Sequence, residues 1–401
     1  MQNFSLYNPV RILFGPGEFQ RIGAEASKHG KKAMVVSYTS HGVFIDMMKH
    51  VEESLAQNGV EAVTFYRIQA NPVISHVREA IEICRKEEVD LVIGLGGGSV
   101  MDSAKVIAAG ALYPDDAWNM FVTRQDQNTA VPPTASLPTI MIPTLPATSS
   151  EMNCVAVVTN DETRQKAHVS AGVLYPTVSI VDPELTKSLS AFHTASGAVD
   201  AISHVMEAYL NGDQHSPIHD RIQEGLIRGI MDELTKILAD PQNLAYRTNL
   251  QWATTLAWNG WLQAGLSVKT SMHKMGHVIS ALYNVTHGVT LAIFMAATFR
   301  YAANLNADRA ARFATLGENV MGISREGRAD EAVANEFIDR FVAFMKGCGV
   351  PTTLSEVGVP ESDFEMILEE IIKTGGDANG NLPGFPPIGR DGVWEILRLA
   401  K

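Results

Sequence analysis

Short runs of β-branched and aliphatic residues alternate with amphipathic helical stretches over residues 1–180, and the alternation stops near Ser190. VRILFG at 10–15 reads as an edge strand closed by the turn Gly15-Pro16-Gly17. AMVVS at 33–37, AVTFY at 62–66 and VDLVIGL at 89–95 read as further strands. Between them, Val43–Gln57 and the VREAIEICRKEEVD stretch carry apolar residues at helical spacing. TIMIP at 139–143 and VSIV at 178–181 continue the series, and Asp182-Pro183 marks its exit. Continuous apolar strands separated by helices predict a parallel sheet covered on both faces.

Beyond Ser190 only helical spacing remains, as in ASGAVDAISHVMEAYL, RIQEGLIRGIMDELTKIL and NLQWATTLAWNGWLQAG, and no strand is expected after Val181. Trp252, Trp258 and Trp261 recur at helical spacing and are expected in the core. The Gly/Pro-rich segment 375–389 reads as a surface loop. The pattern divides the chain into an α/β part, 1–184, and an all-helical part, 185–401. A length of 401 residues supports two domains.

Composition narrows the function without naming it. With 46% hydrophobic and 19% charged residues the chain is of soluble globular type. A formal charge of −12 argues against nucleic acid or an anionic membrane as partner. No apolar stretch approaches the roughly 20 residues that span a bilayer, and the first fifteen residues lack the basic-then-apolar pattern of a signal peptide. Cys84, Cys154 and Cys348 are widely spaced with no CxxC, which suits buried thiols in a reducing cytoplasm.

Three stretches carry candidate chemistry. GLGGGSVMDSAK follows a buried strand and opens a helix, so the N–H groups of Gly97, Gly98 and Ser99 form an anion site suited to a pyrophosphate; a tight strand–helix turn without ligand is the plain alternative. PTLPATSSEMN offers hydroxyls that either hold a cofactor or only make a turn, and Lys166, after the polar hairpin TNDETRQ, reads on its own as a solvated lysine. Asp200 and His204 lie one helical turn apart, as do His273 and His277, and His287 follows the Tyr283-Asn284-Val285-Thr286 turn. A single histidine on a helix is ordinarily a satisfied core or surface residue. Several imidazoles and a carboxylate in apolar helices need something to pair with, and Asp200, His204, His273 and His287 can close on one divalent ion. Their ligand types leave Fe(II), Zn(II), Co(II) and Mn(II) open.

Taken in order, GGGSVMDSAK, PTLPATSSE, GAVDAISHVMEAY, HKMGH and THG resemble the iron-containing, metal-dependent group III alcohol dehydrogenases over essentially the whole chain. The likeness is strongest to the NADPH-dependent butanol dehydrogenases and broad-specificity aldehyde reductases. The resemblance implies a dehydroquinate-synthase-like architecture, with a dinucleotide-binding α/β domain, an all-α metal-binding domain and the active site between them. It implies metal ligation by Asp200, His204, His273 and His287, with Fe(II) or Zn(II) as the ion. It also implies a pocket histidine at His277 that relays a proton. Cofactor contacts fall at Tyr38, Thr39, Ser40, Asn71, Gly97, Gly98, Ser99, Asp102, Thr144, Leu145, Asn153, Val157 and Lys166, which lifts Lys166 to a ribose contact. The substrate would be a small, mostly apolar alcohol or aldehyde such as butanol or butanal, and the protein a homodimer.

An acidic residue after the strand AMVVS would favour NAD(H); Tyr38, Thr39 and Ser40 stand there instead, so NADP(H) is expected ahead of NAD(H). Two rivals keep the fold: a glycerol- or propanediol-type polyol dehydrogenase, and a dehydroquinate-synthase-like lyase, which needs extra basic residues for its anionic substrate. A silent metal or nucleotide binder is the rival from another class.

Overall fold

The structure is a computed structural model that describes residues 1–39, 42–124, 129–210, 216–384 and 386–401. Its first half holds the strands β1 (Arg11–Phe14), β2 (Lys32–Tyr38), β3 (Glu61–Ile68), β4 (Leu91–Gly96), β5 (Thr139–Pro143), β6 (Val155–Asn160), β7 (Gln165–Ser170) and β8 (Val178–Val181). The helices α1 (Ile22–Ala26), α2 (Val43–Gln57), α3 (Ile74–Lys86) and α4 (Gly98–Leu112) lie between them. Six strands pair in parallel in the order β1-β8-β5-β4-β2-β3, and β1 is an edge strand as expected. β4, whose LVIGLG is buried at every position, runs through the middle. One apolar cluster fills the face under α3 and α4 and another the face under α1 and α2, so both faces are covered.

Strand order reverses between β2 and β4. The chain goes from β2 outward to β3, then returns to the other side of β2 to lay down β4. A parallel sheet opens a crevice at the carboxyl ends of the strands where its order reverses. Tyr38 ends β2 there and Gly96 ends β4, so the glycine loop sits in that crevice.

The second half is helical: α5 (Ala191–Leu210), α6 (Pro217–Ala239), α7 (Leu244–Ala257), α8 (Ser271–Tyr283), α9 (His287–Ala303), α10 (Ala307–Met321), α11 (Asp330–Gly347), α12 (Phe364–Gly375) and α13 (Arg390–Leu399). They enclose a single apolar cluster. Among the described residues of this half no strand forms beyond an isolated bridge between Leu382 and Ile388.

Two features depart from the sequence reading. β6 and β7 form an antiparallel ladder apart from the main sheet around the polar hairpin expected at TNDETRQ, and these two flanking strands were not expected. Trp252 and Trp261 are 40% and 53% exposed, not core; Trp252 instead packs edge-on against Phe14.

Among the hydrogen bonds that join the halves, two sets lie beside the cavities. Ser149, held at φ 51°, donates to the Thr254 carbonyl at 2.5 Å and accepts from Trp258 N–H at 3.0 Å. Buried Glu151 accepts from Thr255 at 2.6 Å beside it. Elsewhere Asn71 donates to Asn284 Oδ1 at 3.0 Å, linking the β3 exit to the α8–α9 turn. The loop expected to hold a cofactor by its hydroxyls therefore spends Ser149 on binding α7.

Gly288 decides how closely α9 meets α5. A Cβ built there would stand 2.1 Å from the Ser196 carbonyl oxygen, a backbone atom that no rotamer change can move aside. Gly288→Ala should therefore push the two helices apart and destabilise the protein by about 2–3 kcal/mol, read as a fall in the thermal midpoint. An unchanged midpoint would show that the helix pair has slack here.

Candidate metal centre and cofactor cleft

α5 presents Asp200, His204 and Glu207 at spacings of four and three residues, which places all three on one face of the helix. α8 brings His273 and His277 against that face, and α9 begins at His287. Ligand atoms of Asp200, His204 and His273 all lie within 4.8 Å of one another. His287 Nε2 is 3.8 Å from Asp200 Oδ1, so the fourth expected ligand borders the same group. His277 stands further off, its ring 6.3 Å from His273 and 5.3 Å from His287.

The cluster has a polar deficit. Asp200 Oδ1, His204 Nδ1 and His273 Nε2 are buried without a hydrogen-bond partner among the described residues. His204 Nδ1 and Asp200 Oδ1 are 3.9 Å apart, too far to satisfy each other. Burial pushes Asp200 up to about 6, against the pull of His273 and Lys166. Burial, then neighbouring positive charge, holds His204, His277 and His287 well below the usual imidazole range. Neutral imidazoles and a carboxylate facing one buried point fit a divalent cation.

Glu207 completes the arrangement and was missed from the sequence. It is wholly buried, and its Oε2 lies 2.6 Å from His273 Nδ1. Its Oε1 accepts the backbone N–H groups of Met272 and His273 at 2.7 and 3.3 Å, in the first turn of α8. Burial lowers the His273 imidazole, but the Glu207 carboxylate more than offsets this and leaves it raised. With Nδ1 tied to a carboxylate, Nε2 faces the cluster, the usual way a protein orients a metal-binding histidine. The signal was present in VDAISHVMEAY as a third polar residue on the Asp200–His204 face.

Two cavities meet at this point. The outer one, of about 730 Å³, runs from Tyr38, Thr39 and Phe44 past Thr144 and Leu145 to Asp200 and His287. The inner one, of about 340 Å³, is lined by Asp102, Val155, Val157, Lys166, His168, Trp258, Lys274 and His277 among others. Asn71, Gly98, Ser99, Thr148 and His287 border both. Ser40 lies outside the described residues.

At the crevice, Gly97 N–H already donates to the Tyr38 hydroxyl at 3.2 Å. Gly98 and Ser99 are the loop residues whose N–H groups make no bond among the described residues. Gly98 also needs to lack a side chain: a Cβ would stand 2.6 Å from Thr148 Cγ2. Open N–H groups at the start of a 15-residue helix suit a phosphate.

Several other expected contacts border the cavity with their polar groups already used. Asn153 Oδ1 accepts from Lys105 Nζ at 3.0 Å, and its amide donates to Ser149 O at 2.8 Å. Asp102 accepts from Ser150 Oγ at 2.6 Å and from Val157 N–H at 2.9 Å. Lys105, fully buried, is held by Ser150, Asn153 and the Val155 carbonyl, and burial lowers it to about 8. These groups brace the floor between α4 and the hairpin. Lys166, by contrast, reaches into the cavity and donates to Asn71 Oδ1 at 2.9 Å; it is not the solvated lysine its local sequence suggests.

Replacing Glu207 by Gln removes the negative partner of His273 Nδ1 while keeping an oxygen for the α8 N–H groups. Metal affinity should fall about 10- to 100-fold, measured by competition with a calibrated chelator. Unchanged affinity would mean that the carboxylate only supports the helix.

The comparisons with known proteins agree with this geometry. Residues 9–183 match the family model described as iron-containing alcohol dehydrogenase, and residues 194–400 match that of the C-terminal region of the Fe-containing alcohol dehydrogenase family. The chain is 33% identical to a probable NADH-dependent butanol dehydrogenase of Bacillus subtilis, covering 100% of both chains. It is 31% identical to an NADPH-dependent aldehyde reductase of Escherichia coli, covering 94% of each. A solved structure of NADH-dependent butanol dehydrogenase A from Thermotoga maritima superposes with a TM-score of 0.92 at 36% identity, over 100% of this chain and 99% of that one. The chain belongs to the iron-containing alcohol dehydrogenase family and is an oxidoreductase.

Proposed function

We propose that the protein reduces short aldehydes to alcohols, reversibly, with a nicotinamide cofactor in the outer cavity and a divalent metal, Fe(II) or Zn(II), at the buried cluster. The observation that carries this reading is the placing of His287 and Asp200, which border the outer cavity while the rest of the cluster borders the inner one. Asp200, His204, His273 and His287 would hold the ion. When bound, it supplies Lewis-acid polarisation of a carbonyl. The nicotinamide supplies the hydride, so that aldehyde, reduced nicotinamide and one proton give alcohol and oxidised nicotinamide.

The remaining work falls to the chain's own residues. Gly98 and Ser99 bind the pyrophosphate, Lys166 and Asn71 hold the ribose that follows it, and Thr144 and Leu145 form the wall beside it. Asp102, Asn153 and Val157 brace the floor rather than bond the cofactor. His277, neutral through burial and the nearby Lys166, accepts a proton on one nitrogen while donating from the other, which is what a relay requires. Trp258, Val155 and Val157 keep water from the reacting end.

Cofactor choice turns on the 2′ position. The absence of a carboxylate at Tyr38 and Thr39 favoured NADP(H), but the described wall of the outer cavity carries no Lys or Arg. A 2′-phosphate there would lack a counter-charge in a chain of formal charge −12. NAD(H) is therefore the reading we favour, with NADP(H) as the alternative. The lyase reading finds little support: among the described residues lining the inner cavity there is no Arg and Lys166 is engaged, so a phosphorylated and carboxylated substrate would find only the ammonium of Lys274 unpaired. Three free cysteines suit a cytoplasmic location.

The test is an initial-rate assay with butanal, comparing NADH with NADPH, before and after EDTA and after Fe(II) or Zn(II) is restored. Turnover should require the metal and run faster with NADH; His273→Ala should lose metal content and turnover together. Activity that survives complete metal removal would overturn the mechanism, and a preference for NADPH would overturn only the cofactor choice.

A further inference from the structure

The inner cavity holds a positive charge that the reaction outlined above does not use. Lys274 lines it, half-buried, and its side-chain ammonium makes no hydrogen bond or ion pair with any described residue. Its stem is fixed: Gly375 of α12 leaves just enough room, since a Cβ there would stand 3.1 Å from Lys274 Cβ. The acids nearby are already engaged. Asp102 bonds Ser150 and Val157, while both oxygens of Glu207 serve His273 and the first turn of α8. An ammonium held in a partly desolvated cavity without a counter-ion is costly, and an anion beside it removes that cost.

The neighbours of Lys274 are donors too. Lys166, His168 and Ser170 alternate along β7 and share one face, and all three line the cavity. Lys166 is occupied by Asn71, but the His168 ring has no hydrogen-bond partner among the described residues. Thr270 caps the start of α8, its carbonyl accepting the Lys274 N–H at 3.1 Å, and it also lines the cavity. Helical side chains lean toward the N-terminus, which carries the Lys274 ammonium toward Thr270 and away from His277. Lys274, His168 and Thr270 thus line the same 340 Å³ space as the imidazoles of His204, His273, His277 and His287.

We propose that the substrate is an aldehyde carrying a carboxylate at its far end, with the carbonyl at the Asp200–His204–His273 cluster and the carboxylate bound by Lys274, His168 and the Thr270 hydroxyl. The inference rests on the aldehyde-reductase reading and specifies its substrate class. A short linker is implied, because Lys274 is only three residues from His277 on the same helix.

The test compares 4-oxobutanoate with pentanal, a neutral aldehyde of similar length, on the metal-loaded enzyme. The expected result is a kcat/KM for 4-oxobutanoate about 10- to 100-fold above that for pentanal, expressed mainly in KM, as one charge-assisted bond in a desolvated site provides. In Lys274→Met the ratio of the two should collapse by a similar factor, in Lys274→Arg most of it should return, and His168→Leu should lower it to a lesser degree. Metal content, measured alongside, separates loss of the anion site from damage to the neighbouring His273. If Lys274→Met does not fold, the wild-type ratio and the Lys274→Arg enzyme decide the matter. A wild-type ratio near one, or a ratio unchanged in Lys274→Met, overturns the proposal. Pentanal turnover without preference for the anion overturns this inference alone, whereas turnover of neither aldehyde overturns the reductase reading beneath it.

Discussion

Glu207 is the carboxylate through which α5 holds α8. One oxygen gathers two N–H groups at the start of α8, and the other holds His273 Nδ1, so a single buried side chain fixes both the position of a helix and the direction in which its first histidine points. Removing any of its partners would leave a buried charge unpaired, which costs far more than an ordinary hydrogen bond contributes. Elsewhere in the cluster Asp200 Oδ1, His204 Nδ1 and His273 Nε2 are buried without a hydrogen-bond partner among the described residues. The α5–α8 interface is thus satisfied at Glu207 and unsatisfied at the three neighbouring atoms.

The α/β half meets this interface at the reversal of its strand order. Where β2 and β4 separate, the sheet opens a crevice, and the glycine loop places Gly98 and Ser99 N–H groups in it. The loop after β5 ties the crevice to α7 through Ser149 and Glu151, while Asn71 ties it to the α8–α9 turn. A ligand lying along the crevice is thereby led to the carboxylate–imidazole cluster, because the bonds that hold the halves together are made by the same loops that line the cavities.

The hairpin of β6 and β7 closes the inner cavity from the other side. Its alternation turns Lys166, His168 and Ser170 inward, opposite the Thr270–Lys274 face of α8. The cavity is therefore lined both by the imidazoles of the cluster and by cationic and hydroxyl donors. A molecule with two different functional groups suits it better than a uniformly apolar one.

Much of this was legible in the chain. Six apolar strands, their parallel pairing and the change to helices near Ser190 follow from periodicity, because burial on two faces leaves a continuous apolar run and burial on one leaves a helical stripe. Asp200, His204, His273 and His287 were legible as a group because several polar residues in apolar helices are costly to bury unless something pairs with them. Periodicity says nothing of which polar side chains bond one another across elements. That is why Glu207 passed unnoticed, why Asn153 and Asp102 looked free when Lys105, Ser150 and Val157 already hold them, and why Lys166 looked solvated. The same limit misplaced Trp252 and Trp261, whose helical spacing was real but whose face proved to be the outer one. The sequence by itself determined the elements, their order and the residue types capable of chemistry, since these depend on local geometry and on the cost of burying polar groups. Only the tertiary structure decided which of those groups are spent on each other and which, like Lys274, are left facing a cavity, since that depends on contacts between residues far apart in the chain.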